Sequence, residues 1–147
     1  MPLVSWFPRG IRWAYDVQRF AGTRQMPTVF DVGANIGQTV EMLTKYFPSS
    51  DIYSFEPVAE TFETLQRRWS NHPRVHCVRA ALGNEVGRRA IMRYPDNELN
   101  SFVPNVTSRP ALETEEVAIE TVDSFCAQAA IDRIDILKMD VQGHELE

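Results

Sequence analysis

The stretch TVFDVGANIGQTV, Thr28 to Val40, sets the strongest constraint on how this chain can fold. β-favouring residues run up to Gly33, and from Ile36 onward the apolar positions Ile36, Val40, Leu43 and Phe47 return at helical spacing until Pro48 closes the helix. A strand that breaks at glycine and restarts as a helix is the first half of a βαβ unit, which needs a parallel strand beside it. DIYSFE supplies that strand. Val58, Phe62, Leu65 and Trp69 then form the stripe of a second crossover helix, with Pro57 in its first turn, where a missing N–H is tolerated.

The alternation continues. RVHCVRAAL reads as a third strand, RRAIMRY and EVAIE as two more, and Thr121 caps a helix VDSFCAQAA that leads into the strand IDILKMDV. A loop rich in Asn, Ser and Pro lies between Tyr94 and Glu115, and loops of that length in compact domains are usually functional or disordered. At 147 residues the chain suits one α/β domain with helices on both faces of a parallel sheet. Residues 1–27 are expected to form a helix packed on that domain, with Trp6, Phe7, Ile11, Tyr15 and Phe20 as its apolar stripe. The same aromatic and basic residues would also suit an interfacial amphipathic helix. Residues 28–147 form the domain itself, and the sequence stops at GHELE, where a further helix should begin. The expected sheet therefore lacks its C-terminal strands and leaves an edge at which a second copy or a partner could pair.

Charge and cysteine content narrow the function. A net charge of -5 gives no electrostatic footprint for nucleic acid or an anionic membrane. The N-terminus has no apolar run that would span a bilayer and no small-residue cleavage site. Cys77 and Cys126 lie far apart without metal-ligand spacing, so no metal site or disulfide is expected and a reducing cytoplasm fits.

Gly33 and Gly37 bracket the turn after the first strand. Such a turn lets a ligand approach the main chain, and the helix that follows offers unpaired N–H groups. No Gly-Lys-Ser/Thr follows, so it is not a phosphate-cradling Walker loop. Asn35 and Gln38 stand where a dinucleotide fingerprint has its second and third glycines, which disfavours a nicotinamide-dependent oxidoreductase. Asp31 would repel a pyrophosphate but suits a cationic ligand, and S-adenosylmethionine carries both an ammonium and a sulfonium. Glu56, closing the second strand, could accept from both hydroxyls of a ribose. Taken singly, Asp31 could be a helix cap and Glu56 a solvated strand-end acid.

Four blocks in order, VFDVGANIGQTVEML, IYSFEPVAETFETL, RAALGNEVG and TVDSFCAQAAIDRIDILKMDVQGHELE, resemble the FkbM family of S-adenosylmethionine-dependent methyltransferases from about Val29 to the C-terminus. The resemblance implies the Rossmann-like class I methyltransferase fold and methylation of a hydroxyl oxygen on a sugar or natural-product small molecule. By position it implies that Asp31, Gly33, Asn35 and Gly37 hold the methionine end of the cofactor and Glu56 its ribose, with Ala80 and Ala81 bordering adenine. KMDVQGHE matches the family's Lys-x-Asp-x-Glu-Gly-x-Glu ending, which makes Asp140 the candidate to orient the acceptor hydroxyl or take its proton. Lys138 and Glu145 match as well, and a partly buried ion pair is the plain alternative for them. Gln142 replaces the usual glutamate and cannot act as a base. His144 adds an imidazole nearby, and Asn97, Asn100 and Ser101 fall in a polar segment placed to line the acceptor pocket, although turn chemistry explains Asn and Ser equally.

Methyl transfer is an in-line displacement, so alignment carries most of the work, up to about 7–11 kcal/mol of the barrier. No metal is required. The rival reading from another class is a non-catalytic S-adenosylmethionine-binding or interaction module that pairs through its open sheet edge. A nucleic-acid methyltransferase is disfavoured, since DVQG stands where an Asn/Asp-Pro-Pro-aromatic stretch would hold a flipped base.

Overall fold

The computed structural model describes residues 12–94, 100, 102 and 113–140. In chain order these form α1 (Arg12–Ala21), β1 (Thr28–Val32), α2 (Gln38–Tyr46), β2 (Asp51–Phe55), α3 (Ala59–Trp69), β3 (Val75–Val78), β4 (Ala81–Leu82), β5 (Gly87–Arg93), β6 (Glu113–Glu120), α4 (Val122–Ala129) and β7 (Ile136–Met139). Strands β3-β2-β1-β7 make a parallel sheet, and β4-β6-β5 make a smaller one in which β5 and β6 run antiparallel. The fold is Rossmann-like, and chain order reverses about β1, which lies between β2 and β7.

One face of the parallel sheet carries an apolar row, Ile136, Val29, Ile52 and Val75, aligned strand to strand. Val40 and Leu43 of α2, Leu65 of α3 and Ala14 of α1 cover it. Side chains alternate along a strand, so two residues further on the same face comes a second row: Lys138, Asp31, Ser54 and Cys77. The opposite face is aromatic. Phe30 meets Phe55, Tyr53 and Phe125 at ring-centroid distances of 5.2, 5.4 and 5.7 Å, and α4 lies over this group through Val122 and Phe125. Helices thus cover both faces, as the strand–helix alternation requires.

Several expectations need correction. RVHCVRAAL is not one strand: it breaks at Arg79–Ala80, and Ala81 leaves the parallel sheet to pair with Ile119 of β6. Pro57 precedes the first turn of α3, whose N-cap is Val58. Glu113–Glu115 belong to β6, so the polar loop ends earlier than Glu115. In α1 the packed side chains are Trp13, Ala14 and Val17, whereas Tyr15 and Phe20 are exposed. Small Ala14 lets the helix approach the sheet closely, and the two rings fall outside that face. Trp6, Phe7 and Ile11 lie outside the described residues.

The small sheet is fastened to the start of α3 by charge. Glu115 of β6 accepts the Ala59 N–H at 2.9 Å, meeting one of the unpaired donors at that helix's N-terminus, and takes Arg79 at 3.3 Å. Arg93 of β5 bonds both Glu60 of α3 and Glu113. Val58, Ala81, Ile91, Val117 and Ile119 pack beneath these contacts.

Candidate cofactor and acceptor site

A cleft of about 350 Å³ opens beyond the carboxyl ends of β1, β2 and β7. Its floor is the turn after β1, whose backbone is almost wholly occupied. The N–H groups of Gly33 and Ala34 both donate to the Phe55 carbonyl, at 3.1 and 2.9 Å, and Gly37 N–H donates to Ala34 O at 2.9 Å. Asn35 N–H donates to Glu56 Oε2 at 3.0 Å, and Ile36 N–H to the Asn35 side-chain oxygen at 2.8 Å. Positive φ at Gly33 (75°), Asn35 (50°) and Gly37 (90°) lets the chain fold this tightly. The donors left for a ligand lie one step further on: α2 has no side-chain cap, and its first residues, Gln38 and Thr39, line the cleft.

Glu56 sits at the crossing of the two βα units. Its Oε2 holds Asn35 and its Oε1 holds Val58 N–H at 3.0 Å, so one carboxylate fixes both the β1 turn and the entry to α3. Burial pushes its pKa up to about 7, with nearby Glu115 and Asp31 adding to the rise and the two N–H bonds opposing it. Each carboxylate oxygen keeps a further lone pair, so Glu56 can accept from a ligand hydroxyl without releasing the turn.

Asp31 is fully buried and does not line the cleft. Burial raises its pKa against the opposing pull of Lys138, whose Nζ lies 2.9 Å from Asp31 Oδ1. Beyond that ion pair, neither carboxylate oxygen of Asp31 has a hydrogen-bond partner among the described residues. The cation facing Asp31 is therefore internal. Lys138 pairs with Asp31, and the same ammonium reaches Gly33 O at 3.4 Å; the ion pair weighed for Lys138 and Glu145 falls on Glu145, outside the described residues.

Gly37 is buried and also turned out of the cleft. A Cβ there would stand 2.4 Å from Trp69 Nε1, so this glycine lets α2 pack against α3. Gly33, Asn35, Glu56, Ala80, Ala81, Asn100 and Asp140 do come together around the cleft. Asp140 follows β7, with its N–H on Val32 O at 3.0 Å and its side chain exposed. Asn100 is anchored by accepting the Tyr94 N–H at 2.9 Å. Asn97, Ser101, Gln142, His144 and Glu145 lie outside the described residues. Sequence reasoning missed Gln38 and Thr39, although the open start of a helix after Gly37 points to them, and Ile91, which arrives from the second sheet and has no local signal.

A turn of positive-φ residues, a buried acid at the end of the next strand and small Ala80 and Ala81 line this candidate cofactor cleft of an α/β fold. Lys138 is its only lining base among the described residues, and it is held by Asp31. The donor set thus fits an adenosine with an amino-acid tail better than a pyrophosphate. Residues 31–147 match the methyltransferase FkbM domain, and the chain belongs to that family. It is 28% identical over 152 residues to Methyltransferase 1 of Beauveria bassiana, covering 90% of this chain and 60% of that protein. It is also 28% identical to the 31-O-demethyl-FK506 methyltransferase FkbM of Streptomyces tacrolimicus, over 80% of this chain and 56% of the relative. The 2-O-methyltransferase NoeI of Sinorhizobium fredii is 22% identical, over 81% and 54%. The chain spans little more than half the length of these relatives. Among the described residues no helix is long and apolar enough to cross a membrane, and no group of His, Cys, Asp and Glu could hold a metal ion.

Proposed function

We propose that the chain is the cofactor-binding part of an S-adenosylmethionine-dependent O-methyltransferase acting on a hydroxyl of a sugar or natural-product small molecule. The observation that carries this reading is the cleft at the ends of β1 and β2, where Glu56 shapes the glycine turn and still has lone pairs for a ribose. The names of two relatives specify methylation at oxygen, of 31-O-demethyl-FK506 in one and at a 2-O position in the other. In this reading Gly33 and Asn35, with the first N–H groups of α2, border the amino-acid end, Glu56 accepts from the ribose, and Ala80 and Ala81 border adenine. When bound, the cofactor supplies an electrophilic methyl group. Asp140, fixed through its backbone to Val32 yet exposed at its carboxylate, accepts the proton of the acceptor hydroxyl, and Asn100 borders the acceptor. With Cys77 and Cys126 both free thiols, we place the protein in the reducing cytoplasm.

The test is titration of the isotope-labelled chain with S-adenosylmethionine and S-adenosylhomocysteine. Amide shifts are expected at Gly33, Asn35, Gln38, Thr39 and Ala80, and a folded chain that binds neither ligand, or binds them elsewhere, would overturn the reading. A second reading, a binding module without turnover, draws on Leu137 and Met139, which leave exposed apolar surface on outer strand β7. Cofactor binding with concentration-dependent self-association and no methyl transfer to any hydroxyl acceptor would favour it.

A further inference from the structure

Among the described residues the cleft wall combines two carboxylates, Glu56 and Asp140, with one cation, Lys138. The lysine is held in a defined place: its Nζ forms an ion pair with Asp31 Oδ1 at 2.9 Å and donates to Gly33 O at 3.4 Å. An ammonium has three protons, and Lys138 lines the cleft with 18% of its side chain exposed, so it can donate to a ligand there. An amino-acid tail brings a carboxylate as well as an ammonium. Beside Glu56 or Asp140 that carboxylate would meet like charge, which costs free energy at any dielectric. Beside Lys138 it meets opposite charge and a free proton. Building on the S-adenosylmethionine reading above, we propose that Lys138 receives the carboxylate of the cofactor's amino-acid end. Asp31 and Gly33 O act as fixed supports that keep the lysine from swinging away. The role of Asp31 toward the cofactor is then indirect: it positions the cation that touches the ligand, and does not meet the ligand's ammonium itself.

Deleting the ligand's carboxylate tests this without any turnover. S-adenosylhomocysteine carries the amino-acid end, and 5′-methylthioadenosine lacks it. Calorimetry with both is run on the parent, on Lys138→Met, and on Asp31→Asn/Lys138→Met, where the buried carboxylate no longer loses its partner. Both variants should lose at least about tenfold in affinity for S-adenosylhomocysteine, the worth of one charge-assisted hydrogen bond, and hold 5′-methylthioadenosine within about twofold of the parent. In the parent alone, S-adenosylmethionine should bind at least about tenfold tighter than its decarboxylated analogue, a comparison that needs no variant to fold. Equal losses for both ligands would mean that Lys138 only supports the turn, and unchanged S-adenosylhomocysteine binding would mean that the carboxylate lies elsewhere; either overturns the proposal. A parent that binds none of these nucleosides instead refutes the cofactor reading, a result distinct from both.

Discussion

Replacing Glu56 with glutamine should change how stability depends on pH. In the folded chain Glu56 is 7% exposed and its pKa is pushed up to about 7 from 4.5, chiefly by burial. Between those values the folded state holds a proton that the unfolded chain has released, so raising the pH favours unfolding. The contribution is fully present below pH 4.5 and is lost as the pH rises through about 7. At about 1.36 kcal/mol per pH unit this is worth about 3 kcal/mol. Glutamine does not titrate, and with one carbonyl oxygen it can serve only one of the N–H groups of Asn35 and Val58 well, a loss of about 1–3 kcal/mol that is the same at every pH. Asp31 is present in both proteins, so it enters the difference only through its charge coupling to Glu56. Urea unfolding of parent and Glu56→Gln at half-unit steps from pH 4.5 to 8 should therefore give a difference curve that moves about 3 kcal/mol in the variant's favour. Parallel curves would mean that Glu56 titrates alike in the folded and unfolded chain, and the account of a desolvated carboxylate holding the turn would fail.

Three further outcomes can be checked. Gly37→Ala combines a left-handed backbone with a Cβ pressed on Trp69 and should cost about 2–5 kcal/mol; Gly22→Ala, at φ 58° with open space around it, should cost about 1–2 kcal/mol. Equal costs in urea unfolding would deny the α2–α3 contact its role. Thr121→Ala removes the hydroxyl that accepts Ser124 N–H at 3.0 Å and should lower stability by about 1 kcal/mol, read by the same method. Asp140→Asn should leave cofactor affinity unchanged in calorimetry while slowing methyl transfer by about 10²–10⁴-fold; an unimpaired rate would remove Asp140 from proton transfer.

The first half of the domain is legible in the sequence because its signals are local. TVFDV, its glycine turn, the Val40/Leu43 stripe and DIYSFE each announce an element, and β1, α2 and β2 stand there. The break in RVHCVRAAL is not legible, because nothing in that apolar run says that Ala81 will leave β2's neighbourhood for Ile119 of β6. Likewise Tyr15 and Phe20 are large and apolar, yet small Ala14 marks the packed face of α1. At the site, Glu56 is found from its place after β2. The internal cation beside Asp31 is found only when β7 is laid beside β1.

The bonds around the glycine turn differ sharply in the length of chain they close. Asn35 is held by Glu56, 21 residues away, whereas Lys138 reaches Gly33 across 105. During ribosomal synthesis the cradle can therefore close once β2 and Glu56 have emerged, while Asp31 must wait for β7 before its counter-charge arrives. Over that interval a hydrated or protonated Asp31 is the state chemistry allows, and full burial of the polar row across the parallel sheet waits for β7 to join β1. Shape comes first at this site and charge second.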